Sequence, residues 1–240
     1  MIRKTLLTTK AATFIVNIPD IDNQGFARPR GTGFFISKTG YFITANHIVN
    51  SLYINETITL ERPDDPAFVR VEGAKLVKQW PSFDLALLKA EFEENKQRDY
   101  FKIRKDFPYL EIDYQDQEEG SPVYAFGYPL MQSVVKNTGF IISTSTIPTR
   151  VTSAIISSNR ENFAPIMTSS DPKFYVIDKA LNYGNSGGPI VLTETGKAIS
   201  VCVRFQPQKM KDTGQKVPSL YGITSSLQNI QEDLEMFLKQ

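Results

Sequence analysis

The feature that most restricts this chain is a long succession of short β-rich runs with almost no helical periodicity between them. The runs are Thr13 to Val16, Gly33 to Ser37, Tyr41 to Thr44, Val69 to Val77, Leu85 to Lys89, Val123 to Phe126, Phe140 to Ser145, Phe174 to Ile177, Ile190 to Leu192, Ala198 to Phe205 and Tyr221 to Thr224. Turn-forming groups such as Lys38-Thr39-Gly40, Pro63-Asp64-Asp65-Pro66, Asp171-Pro172 and Thr195-Gly196 separate many of them. Strands at this spacing predict an all-β sandwich or a pair of barrels. A doubly wound α/β sheet is excluded, because parallel strands need crossover helices between them. Helical spacing is found only at the end, where Leu227, Ile230, Leu234, Phe237 and Leu238 fall in steps of three and four. That stripe predicts a terminal amphipathic helix docked on the β domain.

The polar stretch Asp113 to Gly120 lies near the midpoint and reads as a solvated connector between two strand-rich halves. It predicts an N-terminal unit over residues 1–115, a C-terminal unit over 116–226 and the helix over 227–240. The opening residues, MIRKTLLTTKAATFIV, read as a first strand, since Lys10 breaks the apolar stretch before it reaches the ~7–15 residues of a signal-peptide core. No apolar run approaches the ~20 residues needed to cross a bilayer. Lys and Arg number 27 against 26 Asp and Glu, a formal net charge of +1, so neither nucleic acid nor an anionic membrane is an expected partner. A single cysteine, Cys202, cannot form an internal disulfide. The fold must then be held by packing, and a reducing cytoplasm is the expected location. One cysteine and one histidine are too few for the usual zinc cages, so no metal is expected, nor any other cofactor.

The strongest local signal is Gly184-Asn185-Ser186-Gly187-Gly188-Pro189, a serine flanked by glycines and followed by the apolar run Ile190 to Leu192. Glycines let the backbone turn sharply and bring N–H groups close to a reacting carbonyl, as an oxyanion hole requires. Gly-x-Ser-x-Gly also fits the nucleophile elbow of α/β-hydrolases, but there the histidine follows the serine. Here the only histidine, His47, comes far upstream of Ser186. It follows the run Tyr41 to Thr44, where an imidazole on a loop could serve as base to a serine from elsewhere in the chain. The third group should be a carboxylate that fixes the imidazole tautomer. Asp84 opens the apolar run Leu85 to Leu88 and is preferred to Asp64 and Asp65 on their Pro-flanked loop, because a strand end holds a group more rigidly. Cys202 sits in an apolar run without a positive neighbour, which argues against a Cys–His peptidase.

Taken together, Gly31-Thr-Gly-Phe-Phe-Ile-Ser37, Gly40-Tyr-Phe-Ile-Thr-Ala-Asn-His47, Asp84-Leu-Ala-Leu-Leu, Gly127-Tyr-Pro129 and Gly184-Asn-Ser-Gly-Gly-Pro189 resemble the trypsin-like serine peptidases, particularly the disulfide-free HtrA (Deg) type. The resemblance runs from about residue 12 to residue 226. It implies two six-stranded antiparallel β-barrels of the chymotrypsin type, with His47 and Asp84 from the first and Ser186 from the second. It implies an oxyanion hole made by the N–H groups of Gly184 and Ser186. It also places Ala180 at the base of the specificity pocket, with Cys202, Val203, Arg204, Gly222 and Ile223 near its walls. An alanine floor carries no charge, so a small or medium apolar P1 side chain is expected. HtrA proteins usually continue into PDZ domains, whereas here the terminal helix closes the sequence at Gln240, and PDZ-based peptide sensing is not expected. Ser157 to Pro172 falls where the family has mobile activation loops, and an activating protein partner or substrate is expected to order it.

The function expected is therefore a serine endopeptidase acting on polypeptide substrates through an acyl-enzyme. A catalytically silent peptide-binding module on the same fold and an esterase using the same triad are the competing readings.

Overall fold

The computed structural model describes residues 2–19, 27–52, 56–63, 69–91, 106–129, 149–159, 172–205, 208–209, 216–217 and 221–239. After a helix α1 (Ile2–Ala12) come β1 (Thr13–Pro19), β2 (Ala27–Phe35), β3 (Tyr41–Ala45), a single helical turn α2 (Asn46–Val49), β4 (Thr57–Arg62), β5 (Val69–Trp80) and β6 (Leu85–Lys89). These six strands close into an antiparallel barrel in the order β1-β2-β3-β6-β5-β4. A second closed antiparallel barrel follows, built from β7 (Pro122–Gly127), β8 (Arg150–Ser158), β9 (Phe174–Ile177), β10 (Pro189–Leu192), β11 (Ala198–Phe205) and β14 (Gly222–Ser226). A small ribbon of β12 (Gln208–Lys209) and β13 (Lys216–Val217) lies in the connection from β11 to β14. The chain ends in α3 (Gln231–Leu238). The fold is thus all-β, two six-stranded barrels with a C-terminal helix, as the strand pattern and the resemblance predict.

A barrel this small is filled by its own side chains. In the first barrel Phe14, Phe34, Phe35 and Phe42 are fully buried. Phe35 meets Phe14 and Phe42 edge-on at 5.3 and 5.0 Å and stacks on Phe107 at 4.5 Å. The second barrel explains why β10 reads as an unbroken apolar run. Successive strand residues point to opposite faces; Ile190 and Leu192 pack in one apolar cluster and Val191 in the other, which it shares with the first barrel. β10 is buried on both faces.

Three expectations need correction. The opening residues form α1 and not a strand, which begins only at Thr13. Their threonines suggest β structure, yet three hydroxyls find a carbonyl one helical turn back: Thr8 bonds to Lys4 at 3.4 Å, Thr9 to Thr5 at 3.0 Å and Thr13 to Thr9 at 2.7 Å. Tertiary contacts then fix the helix. Thr9 Oγ1 meets Tyr124 Oη of β7 at 2.9 Å, and the buried Arg62 donates to the carbonyl of Ala11 at 2.7 Å, at the C-terminal end of α1. Second, the Asp113 to Gly120 stretch is largely exposed, as a solvated connector should be, but it is also tied down. Asp113 N–H donates to Ala198 at 2.9 Å, Lys173 Nζ grips Asp116 at 2.6 Å, and Gly120 N–H donates to Ile156 at 2.7 Å. Third, β4 and β8 were not anticipated as strands, being polar and half-exposed along much of their length. The expected strand Phe140 to Ser145 lies outside the described residues.

The terminal stripe starts with a tight 3-10 turn, Leu227–Ile230, before α3. Leu227, Ile230 and Leu234 are buried and Phe237 packs partly, while Leu238 faces out. The helix follows the second barrel in sequence but docks on the first. Asp233 accepts from Trp80 Nε1–H at 2.6 Å and from Lys78 Nζ at 2.8 Å, both on β5, and the Phe237 ring lies 6.0 Å from Tyr41 of β3. Tyr114, in the connector, is half-buried, and burial followed by Glu235 pushes its hydroxyl up to about 12.

The Lys78 ammonium, and secondarily the Trp80 N–H, hold the Asp233 carboxyl below its ordinary value. The folded chain therefore stays ionised where the unfolded chain takes up a proton, and stability from this carboxylate is present at neutral pH and is lost as pH falls below its usual range. Asp233→Asn is expected to cost about 1–2 kcal/mol in urea unfolding at pH 7. The gap to wild type should close progressively when the titration is repeated below about pH 4.

Candidate active site

Register decides where His47 and Asp84 lie. β3 and β6 run antiparallel with Ala45 opposite Leu85, so the chain leaves β3 where it enters β6. His47 is on the turn after β3, and Asp84 is the residue just before β6. Asp84 grips the histidine at two points: Oδ1 accepts the His47 backbone N–H and Oδ2 accepts Nδ1–H, each at 2.8 Å. Its own carbonyl accepts the Asn46 N–H at 2.9 Å. A carboxylate only accepts, so Nδ1 carries the proton, and in the neutral imidazole Nε2 keeps its lone pair. The Asp84 side chain is nearly buried while that of His47 is 45% exposed, so the imidazole is anchored from within and open on the outside. Asp84 is the one non-glycine described residue with positive φ, at 54°, after the 3-10 turn Pro81–Phe83. Aspartate tolerates this left-handed conformation better than most residues.

Ser186 comes from the turn before β10. Its neighbour Gly187 has φ of 84°, and a Cβ there would run into the Thr32 carbonyl and Thr44 Oγ1 and lie 3.0 Å from Ile48 Cδ1. A Cβ on Gly31 would likewise meet Ile48, and would come within 2.8 Å of the Ser186 carbonyl. The absence of both side chains lets the serine turn sit against β2 and against the residue after His47. From the other side, the Gly187 N–H donates to the Cys202 carbonyl at 2.7 Å and the Cys202 N–H to Gly188 at 2.9 Å.

The amides of this turn divide into two sets. Those of Asn185, Gly187 and Gly188 donate to Asn182, Cys202 and Asn185 at 3.0, 2.7 and 2.8 Å. Those of Gly184 and Ser186 have no acceptor among the described residues. They are the two that the resemblance assigns to the oxyanion hole.

The specificity residues are distributed as follows. Ala180 is exposed. Cys202, Val203 and Ile223 are buried, and β11 and β14 pair Arg204 with Ile223 and Phe205 with Gly222. The Arg204 side chain lies outside the described residues, as do Asp64, Asp65 and most of Ser157 to Pro172. Burial, and after it the nearby Asp84 carboxylate, push the Cys202 thiol far up, so it stays a protonated, inert group. Sequence reasoning missed two contributors. Leu181 fills the space against Gly222, where a Cβ would come 2.6 Å from Leu181 Cδ1. Thr32, named only as part of a motif, is fully buried and bonds to both Gly184 and Ser186. Among the described residues no cluster of His, Cys, Asp and Glu could hold a metal ion.

Residues 31–201 match the family model described as the trypsin-like peptidase domain. The chain belongs to the trypsin-like peptidase family. Within it, the chain is similar to proteins named as periplasmic serine endoproteases of the DegP-like type: 29% identical over 176 residues to one from Rickettsia prowazekii and 32% over 174 residues to one from Pseudomonas fluorescens. Those matches cover 73% and 72% of this chain but only 28% and 29% of the relatives, so it spans less than a third of their length. Among solved structures, the HtrA-type protease AlgW with a decapeptide superposes with a TM-score of 0.67 at 18% identity, covering 100% of this chain and 68% of that one. The MamO protease domain from Magnetospirillum magneticum gives 0.63 at 20%, covering 95% and 97%. At these identities the likeness is one of fold. The relatives' names overturn the cytoplasmic expectation. A lone cysteine does not report compartment, because oxidising surroundings permit disulfides without requiring them.

The glycine geometry gives a discriminating comparison. Gly73 has φ of 78° but nothing within 4 Å of a Cβ, so Gly73→Ala should cost only the backbone term of about 1–2 kcal/mol. Gly187→Ala adds overlap with the Thr32 carbonyl and should cost about 1–3 kcal/mol more. Denaturant unfolding of the two variants side by side reads the difference.

Proposed function

We propose that this chain is the catalytic domain of a serine endopeptidase that acts outside the cytoplasm, as the names of its relatives indicate. One observation carries the reading. An imidazole held by a nearly buried carboxylate sits on the turn packed against a serine turn, and neither its outer nitrogen nor the Gly184 and Ser186 amides have a partner among the described residues. In this reading Ser186 Oγ attacks the peptide carbonyl and His47 Nε2 takes its proton. The developing oxyanion accepts from the Gly184 and Ser186 amides. Protonated His47 then gives its proton to the leaving amine, and water, activated by the same imidazole, releases the acyl group from Ser186. Asp84 keeps the imidazole in the required tautomer and stabilises its positive charge.

The boundary at 115/116 then separates the half that supplies the base from the half that supplies the nucleophile. Substrates are polypeptides, in keeping with the peptide-bearing AlgW structures. Ala180 with Leu181 packed under Gly222 offers an uncharged surface, which suits a small or medium apolar P1 residue.

Labelling with a fluorophosphonate tests the assignment. Wild type should label on Ser186, Ser186→Ala should not label, and His47→Ala should label far more slowly. Asp84→Asn should lose on the order of 10⁴ in kcat, because an amide in its place no longer holds the imidazole in the required tautomer. A wild type that binds peptide yet neither labels nor cleaves would make it a silent binding module.

A further inference from the structure

Thr32 is a residue of the first barrel whose bonds go chiefly to the second. Its backbone N–H donates to the Ser186 carbonyl at 2.8 Å, and its hydroxyl donates to the Gly184 carbonyl at 2.6 Å. A hydroxyl has one hydrogen; with that spent on Gly184, its lone pair receives the Tyr128 N–H at 3.2 Å. Its own carbonyl accepts Thr44 Oγ1 at 2.7 Å. Thr32 is wholly buried, so its bonds have no bulk water competing for them.

The two residues that Thr32 grips by their carbonyls are the same two whose N–H groups have no acceptor among the described residues. Gly184 has φ of 94° and no Cβ to resist rotation, so on its own the turn could point its amides in several directions. Pinning the carbonyls of Gly184 and Ser186 to one buried residue of the facing barrel fixes the peptide planes that follow them and so restrains how the planes carrying the two amides can turn.

We propose that Thr32 is the positioning residue of the oxyanion-binding turn, its hydroxyl fixing Gly184 from the opposite barrel so that the Gly184 and Ser186 amides converge on one point. The proposal rests on the peptidase reading. It makes the transition-state donors of the second barrel depend on a side chain of the first, so the hole is complete only when the barrels are in register. Ground-state binding of substrate does not require that convergence, whereas stabilising the oxyanion does.

The test compares Thr32→Val with Thr32→Ser. Valine keeps the shape and the backbone N–H but removes the hydroxyl; serine keeps the hydroxyl. Thr32→Val is expected to lower kcat on a peptide substrate by roughly 10–10²-fold with KM changed less than about threefold. Fluorophosphonate labelling of Ser186, which builds a similar anion in the same place, should slow in parallel. The midpoint of the pH–rate profile should stay where it is, because His47 and Asp84 are untouched. Thr32→Ser should recover most of the loss. Rates are expressed per folded molecule, with Tm recorded alongside; if the valine variant does not fold, Thr32→Cys, with its weaker donor, takes its place. The proposal is overturned if kcat per folded molecule matches wild type while only Tm falls, or if serine is as impaired as valine. A wild type that never labels sinks the peptidase reading and this proposal with it; a labelled wild type with an equally reactive valine variant sinks this proposal alone.

Discussion

The candidate site is divided between two barrels, so it depends on whatever fixes one against the other, and the most direct such contact is the hydrogen bond from the Thr32 amide to the Ser186 carbonyl. A bond of that kind contributes only about 0.5–1.5 kcal/mol net, too little to hold two barrels together. Packing supplies the energy. Tyr124, Val191, Val201, Val203 and Ile223 of the second barrel belong to the same apolar cluster as the phenylalanines of the first, and each large side chain buried is worth about 1.5–3 kcal/mol. Apolar packing is non-directional; the bonds around Thr32 supply what it lacks, a fixed register.

The two ends of the chain reinforce that register by crossing over. α1 precedes the first barrel yet reaches β7 of the second through Thr9 and Tyr124, and α3 follows the second barrel yet clamps β5 of the first through Asp233. The clamp grips Trp80, immediately before the 3-10 turn that leads into Asp84. The carboxylate that orients His47 is thus held at one side by β6 and at the other by a segment that the C-terminal helix anchors.

Much of this was legible from residue patterns. The β3 and β6 runs are short and apolar, and their motif residues sit at strand ends, where antiparallel pairing brings His47 against Asp84. Glycines around Ser186 announced a tight turn because few other residues permit one. What was illegible depended on partners remote in sequence. The threonines of α1 look β-forming until their hydroxyls are seen to bond back along the helix and to Tyr124. β4 and β8 carry too many polar residues to stand out, since one side of each faces solvent. Thr32 gave no signal beyond its motif, because its role lies in bonds to residues 152 and 96 positions away.

The lone cysteine misleads about location for a related reason: the lack of disulfides marks how a chain is stabilised and not its compartment. A domain of 240 residues buries roughly 70% or more of the surface of its unfolded chain, and small secreted folds need covalent staples because they cannot do so. Here the stacked phenylalanines, the buried Arg62 at the end of α1 and the crossed terminal helices serve where staples would otherwise be needed. Cys202 is then free to be a buried apolar filler whose backbone backs the Ser186 turn. A chain held in this way can fold in either redox environment, which is why its relatives' location could not be read from its sulfur.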